Sequence, residues 1–250
     1  MNEVILQAKD LQKEFRVDGN HVNIIIPNLN LDIRKGEFVV IMGNSGSGKS
    51  TLLYLLGGLD NATQGEILVK GQNLPATEKK KTLFRRSTLG VIFQQNNLIP
   101  SLTLLENVLV SAFLIQKNRK KARLKAIQLL KELDIEKLQD RYPSQVSGGE
   151  QQRCAIARGL VNAPDILLAD EPTGSLNSAA TEKVLETFSS LHKNGQTIIM
   201  VTHEIEAACY GERIVYLRDG EIVDEYRMNK NENKRQKEKA LLGWLTEKGW

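Results

Sequence analysis

Short apolar runs recur along the chain, at residues 4–8, 23–26, 38–42, 66–69, 90–93, 165–169, 197–202, 213–217 and 221–224. Several are continuous rather than alternating, as in Phe38-Val39-Val40-Ile41-Met42 and Ile198-Ile199-Met200-Val201. That is the pattern of strands covered on both faces of a parallel sheet. Turn signals at Lys35-Gly36-Glu37 and Arg218-Asp219-Gly220 separate early and late runs, which predicts antiparallel, hairpin-like pairs there. Helical spacing predicts helices over 50–56, 104–116, 120–133, 149–161, 179–193 and 204–210. Between Gln94 and Ser147 the pattern is almost wholly helical, so a sheet-containing body is interrupted by a helical insert. There is no fixed-period repeat, and residues 229–239 form the one polar, low-complexity stretch.

Composition bounds the class. At about 150 residues per domain, 250 residues give one to two domains. Hydrophobic residues at 41% and charged residues at 26% exclude a disordered or collagen-like chain. No apolar run approaches the roughly 18 residues that span a bilayer. Residues 1–10 lack the basic and apolar regions of a signal peptide. Cys154 and Cys209 have neither metal-type nor framework spacing, and are expected as buried thiols. These features together predict a cytoplasmic protein. The net charge of +4 permits nucleic acid or an anionic membrane surface as partner and favours neither.

The chemistry begins at Gly43-Asn44-Ser45-Gly46-Ser47-Gly48-Lys49-Ser50, which matches G-x-x-x-x-G-K-[ST] between a strand candidate and a helical run. Glycines allow backbone N–H groups to turn toward phosphate oxygens, and the helix N-terminus adds partial positive charge. Lys49 supplies a full charge to the β- and γ-phosphates, and the Ser50 hydroxyl is a ligand for Mg²⁺. Ile166-Leu167-Leu168-Ala169-Asp170-Glu171 is an apolar run ending in two carboxylates. Asp170 suits Mg²⁺, and Glu171 suits orienting and deprotonating an attacking water. His203 ends another apolar run and can donate to the γ-phosphate; a structural or surface histidine is the plainer alternative. Val146-Ser147-Gly148-Gly149-Glu150-Gln151-Gln152-Arg153 opens a helix with Ser147 as N-cap and Glu150 three residues on. Its hydroxyl, glycines and helix N-terminus make a second anion site, suited to another subunit's nucleotide.

Taken in order, these residues resemble the ATP-binding subunit of ABC transporters over nearly all of residues 1–226. The phosphate loop at 43–51, Gln94, the signature at Ser147 to Arg153, Asp170-Glu171, Ser175-Leu176-Asn177 and His203 follow that family's sequence of motifs. The wording around 38–51, Leu55-Leu56-Gly57-Gly58-Leu59-Asp60 and Val91-Ile92-Phe93-Gln94-Gln95 is similar to the MacB/LolD-type branch. The resemblance implies an α/β fold: a P-loop NTPase (RecA-like) core with an antiparallel β subdomain and an inserted α-helical subdomain. It places the cassette at 1–228 with its insert at about 95–150, followed by a basic tail with a short helix at 229–250.

The resemblance also implies roles. Thr51 joins the phosphate-binding set. Phe15 stacks on adenine, with a core phenylalanine as the alternative. Gln94 reaches Mg²⁺ and the lytic water and senses a permease. Ser147 and Gly149 contact the γ-phosphate held by the other subunit of a head-to-tail homodimer. The implied cofactors are ATP and Mg²⁺, and the implied partner is a membrane permease with a large extracytoplasmic domain. That permease would hold the chain peripherally at the cytoplasmic face of the cell membrane, with no nucleic acid as partner. Such systems export lipoproteins, peptides or antibiotics or transmit work across the membrane. The alternative is an ATPase regulator of a membrane-linked cell-wall hydrolase without transport. Soluble ABC ATPases of DNA or ribosomes carry coiled coils or tandem cassettes, which this length does not hold. A GTPase would carry N-K-x-D, and Asn229-Lys230-Asn231-Glu232 is only a near match. One departure from the family pattern stands at Asn177, where Asp is usual.

Two features are left with paired readings. The basic run Lys117, Arg119, Lys120, Lys121, Arg123 and Lys125 reads first as a solvated helix face and second as a contact for lipid headgroups or permease loops. The segment around Ala240-Leu241-Leu242-Gly243-Trp244-Leu245 and Trp250 is either a tail ending in a short docked helix or an amphipathic element gripping permease or membrane.

Overall fold

Phe38 to Met42 is buried at every residue because the strand lies between two layers of core. Phe38, Val40 and Met42 point into one cluster, and Val39 and Ile41 into the other. The computed structural model describes residues 3–16 and 22–250. Met1 and Asn2, at the head of the stretch expected to lack a signal peptide, lie outside the described residues.

The first sheet is antiparallel. It is built from β1 (Val4–Arg16), β2 (Val22–Arg34), β4 (Gln64–Val69) and β5 (Gln72–Asn73), in the order β2-β1-β4-β5. The second is six-stranded and contains β3 (Phe38–Met42), β6 (Leu89–Ile92), β7 (Ile166–Asp170), β8 (Thr197–Thr202), β9 (Arg213–Arg218) and β10 (Glu221–Arg227). Its order is β10-β9-β3-β8-β7-β6. All its pairings are parallel except the β9–β10 hairpin.

Helix α1 (Lys49–Leu56) fills the layer between the sheets through Leu52, Leu53, Leu55 and Leu56. The opposite face is covered by α3 (Leu104–Ala112), α4 (Arg119–Glu132), α5 (Gly148–Leu160), α6 (Ser178–Lys193), the short α7 (Ile205–Ala208) and α8 (Lys234–Glu247). Between Gln94 and Ser147 there is no strand, as the periodicity predicts.

The Lys35-Gly36-Glu37 turn closes no hairpin: β2 belongs to the first sheet, and β3 enters the second between two parallel partners. Three further elements differ from the sequence reading. β1 runs on to Arg16 through register shifts near Leu11, and its polar residues Asp10, Gln12, Lys13 and Glu14 break the alternation that marks a strand. Helix α2 (Glu78–Thr88) has no apolar stripe; it is held by polar anchors. Lys81 is buried and donates to Asn61, and Arg85 donates to the Gly58 carbonyl at 2.7 Å. The C-terminal helix is longer than expected and uses its apolar face on its own chain. Leu241 and Leu245 are fully buried, and the Trp244 ring lies 6.3 Å from Tyr216 and 5.3 Å from Tyr226.

Of the paired readings for the basic run, the geometry matches the solvated face. α4 buries Ala122, Ala126 and Leu130 and exposes Lys120, Lys121, Arg123 and Lys125. Cys154 and Cys209 are free and buried, and burial pushes both thiols up to about 12.

Candidate functional site

The strand order sets the site. β3 and β7 both end beside β8, so the loop after β3 and the carboxylates ending β7 meet at the same carboxyl end of the sheet. Ligand clefts in parallel sheets lie at that carboxyl end. Here the cleft measures about 720 Å³ and is lined by Asn44, Ser45, Gly46, Gly48, Lys49, Ser50, Thr51, Glu171 and His203, together with Ile25 and Trp250.

The loop's glycines are required by space. A Cβ at Gly43 would meet the Leu217 carbonyl oxygen at 2.3 Å and Ser47 Oγ at 2.4 Å. Gly48, at φ 96°, caps α1 without any side-chain acceptor, so the helix's first N–H groups stay available to an anion. Ser47 Oγ is buried with no hydrogen-bond partner. Lys49 is 7% exposed, and its Nζ donates to the Asn44 carbonyl at 2.9 Å. Burial lowers its pKa, against the opposing pull of Glu171 and Asp170. A phosphate would relieve that desolvation with two or more negative oxygens.

Ser50 Oγ donates to Asp170 Oδ1 at 2.9 Å. Hydroxyl and carboxylate oxygens are the hard donors that suit Mg²⁺, which takes few protein ligands and completes its shell with water and phosphate. This pair therefore fits the ion. The carboxylate is also within reach of Tyr54, one turn after Ser50 on α1. Burial, and then hydrogen bonding to Asp170, pushes the Tyr54 hydroxyl up to about 12.

Glu171 stands at φ 43°, a left-handed conformation uncommon for a side-chain-bearing residue, with its N–H bonded to the Val201 carbonyl at 2.9 Å. That turn aims the carboxylate into the cleft, where Glu171 Oε1 and His203 Nδ1 lie 3.1 Å apart. Strain of this type persists where surrounding structure over-determines it.

The remaining candidates lie elsewhere. Ser147 caps α5 in a full capping box: its N–H and hydroxyl donate to Glu150 Oε2 at 2.7 and 2.8 Å. Those bonds hold the Glu150 carboxyl below its ordinary pKa. The stability they carry is present above the ordinary carboxylate pKa and fades as pH falls through the lowered one. Ser147→Ala should cost about 1 kcal/mol, read as a melting temperature lower by roughly 2–4 °C. An unchanged thermal melt would remove the cap as a stability element.

Ser147 and Gly149 line a separate cleft of about 320 Å³ with Ser175, Leu176 and Asn177. There Asn177 Oδ1 accepts from the Ala180 N–H at 3.0 Å, a cap that Asp would make equally well. Gly149 is needed because a Cβ there would meet Ala180 Cβ at 2.8 Å.

Gln94 is exposed and is not in the wall of the first cleft; its Nε2 would lie 3.0 Å from a Cβ at Gly174, beside the turn after Glu171. The segment behind it is tied to α5, since Arg158 donates to the carbonyls of Asn96 and Asn97 at 2.7 and 2.5 Å. Phe15 is 44% exposed, outside the cleft wall, with Lys13 Nζ 4.4 Å from its ring centroid. Ile25, Tyr54 and Trp250 are the site neighbours that sequence reasoning missed; only Tyr54 carried a signal, its i, i+4 spacing from Ser50.

A family model described as ABC transporter matches residues 26–174. The chain is 46% identical over 222 residues to the lipoprotein-releasing system ATP-binding protein LolD of Aquifex aeolicus, covering 88% of this chain and 97% of that protein. It is 40% identical over 244 residues to the macrolide export ATP-binding/permease protein MacB of Mannheimia succiniciproducens, 96% of this chain but 38% of that longer protein. The dimeric structure of the ABC transporter cassette MJ0796 of Methanocaldococcus jannaschii superposes with a TM-score of 0.81 at 41% identity, over 89% of this chain and 98% of that one. A second dimeric structure of that cassette, in a post-hydrolysis state bound to ADP and Pi, gives a TM-score of 0.79.

Proposed function

The chain belongs to the ABC transporter family, as an ATPase cassette of the LolD/MacB type, and we propose that two copies pair head-to-tail to hydrolyse Mg-ATP beneath a membrane permease. One observation carries the reading. The phosphate loop, Ser50–Asp170 and Glu171–His203 share one cleft, while Ser147 and Gly149 stand in another on the same chain. Each chain thus offers half of two sites, and a second copy is needed to bring a signature over each phosphate loop.

In this reading Lys49 and the loop N–H groups hold the phosphates, and Gly43, Asn44, Ser45, Gly46, Ser47, Gly48 and Thr51 shape their cradle. Ser50 and Asp170, with Gln94 arriving on closure, would hold Mg²⁺, which supplies charge neutralisation at the β- and γ-phosphates. Glu171 orients the attacking water and accepts its proton. His203 fixes the Glu171 carboxylate and reaches toward the γ-phosphate. Phe15 stacks on adenine from the β1–β2 ribbon. Ser147 and Gly149 of the second copy complete the charge-stabilising shell.

The permease would sit on the helical insert. Val110, Phe113, Leu114 and Ile115 are each at least 43% exposed at the end of α3. They adjoin a cleft lined by Arg85, Arg86, Leu114 and Arg158. Arg158 also holds the segment after Gln94 and belongs to α5, so a push on this face reaches both the glutamine and the signature. Among the described residues no helix is long and apolar enough to cross a membrane. We infer that the chain attaches peripherally, through the permease, at the cytoplasmic face. The names of LolD, of a lipoprotein-releasing system, and of MacB, a macrolide exporter, support lipoprotein or antibiotic as cargo. A permease with a large extracytoplasmic domain, and peptide export or work across the membrane, are part of the same proposal.

The test is co-purification from detergent extracts. Phe113→Glu with Leu114→Glu should lose the membrane protein that the tagged wild-type chain brings down, while the isolated variant hydrolyses ATP at the wild-type rate. Equal recovery of that membrane protein with the variant would move the docking face elsewhere.

A further inference from the structure

The C-terminal helix ends in a structured turn that brings Trp250 to the wall of the cleft that holds the phosphate loop. Gly249, at φ 85°, takes the left-handed position after the helix, and its N–H bonds the Thr246 carbonyl at 3.1 Å. The Trp250 N–H bonds the Leu245 carbonyl at 3.0 Å. This is a complete Schellman cap, whose left-handed residue is most easily glycine. It reverses the chain so that the Trp250 indole lies 5.8 Å from the Tyr216 ring, and the residue forms part of the wall of the cleft. Below it Leu241 and Leu245 are fully buried, so the helix is anchored in the main core.

The same turn is strapped to the loop's support. Arg218 Nη1 donates to the Lys248 carbonyl at 3.0 Å, and Lys248 Nζ pairs with Asp224 at 2.6 Å. Gly220, two residues after Arg218, donates to the Ser47 carbonyl at 3.1 Å. The Leu217 carbonyl is the atom against which Gly43 packs. Phosphate loop, β9–β10 turn and C-terminal cap therefore form one contiguous stack.

We propose that Trp250 is a nucleotide-binding residue: its indole is the wall of the nucleoside-phosphate site contributed by the C-terminal helix, and docking of α8 sets nucleotide affinity. The inference rests on the cleft being the nucleotide site. Occupancy of the loop is then felt at α8 and docking of α8 at the loop, because coupling of two binding events is reciprocal.

The experiment uses the full chain, with Mg-ADP as probe. Trp244→Phe leaves Trp250 as the one tryptophan of the chain. Its emission should shift or quench on titration with Mg-ADP, at the midpoint that calorimetry gives. Trp250→Ala should weaken Mg-ADP about tenfold and Trp250→Phe about twofold, in line with the worth of an aromatic contact. Arg218→Ala, at an exposed residue, should weaken it in the same direction without loss of fold. Unchanged Trp250 emission under calorimetrically proven saturation, or a wild-type affinity in Trp250→Ala, would overturn the proposal. Absence of any Mg-ADP binding by the wild-type chain would instead overturn the nucleotide site itself.

Discussion

Glu171→Gln should release phosphate about a hundredfold to ten-thousandfold more slowly than the wild-type chain, the range a positioned general base contributes. The substitution keeps the side chain's shape and its contact with His203, now 3.1 Å away, and removes only the ability to accept a proton. The left-handed backbone at φ 43° is no worse for Gln than for Glu, so the fold should survive. ATP should still bind, since Lys49, Ser50 and Asp170 are untouched. Steady-state phosphate release, measured beside calorimetric ATP affinity, separates the two. Unchanged hydrolysis would remove Glu171 as the base and leave the water to another group.

The largest effect on stability is expected at Arg213, far from the chemistry. Its guanidinium is 6% exposed and makes a bidentate pair with Glu37, at 2.8 and 3.1 Å. It also donates to Glu225 at 2.9 Å and to the Asp32 carbonyl at 2.6 Å. Burial opposes its charge, but the hydrogen bonds and charges of Glu37 and Glu225 outweigh it and raise its pKa. One side chain thus ties the first sheet, through β2, to β3, β9 and β10 of the second. Arg213→Ala would leave the buried Glu37 carboxylate without its counter-charge, at a cost of about 3–5 kcal/mol. For a chain of this size that lowers the melting temperature by roughly 6–20 °C. Arg213→Lys keeps the charge but not the fork, and should fall between the two. A melt within two or three degrees of wild type, taken roughly as the scale of one kcal/mol, would show that the pair is replaceable by water.

Much of this was legible because the strands that carry the site are buried on both faces. β3, β7 and β8 read as unbroken apolar runs, and the residues that follow them are the ones with chemistry. The phosphate loop was legible because its glycines answer to backbone crowding, at Gly43 above all. What escaped reading has a common physical character. Helix α2 is held by Lys81 and Arg85 rather than by an apolar stripe, so no periodicity marks it. β1 hides behind polar positions and register shifts. Ile25 and Trp250 reach the cleft from the first sheet and the last helix, through pairings that no local pattern encodes. Phe15 illustrates the converse: its sequence context is clear, yet its ring stands 44% exposed outside the cleft wall.

The proposed head-to-tail pairing would give a role to both clefts of the chain, which share no residue. The direct test is the mass in solution of Glu171→Gln with saturating ATP, by light scattering. The account predicts a species of twice the 28.0 kDa chain, and return to a single chain when Ser147→Arg is added to the same variant. A mass of one chain for Glu171→Gln at saturating ATP, or a dimer indifferent to Ser147→Arg, would contradict it.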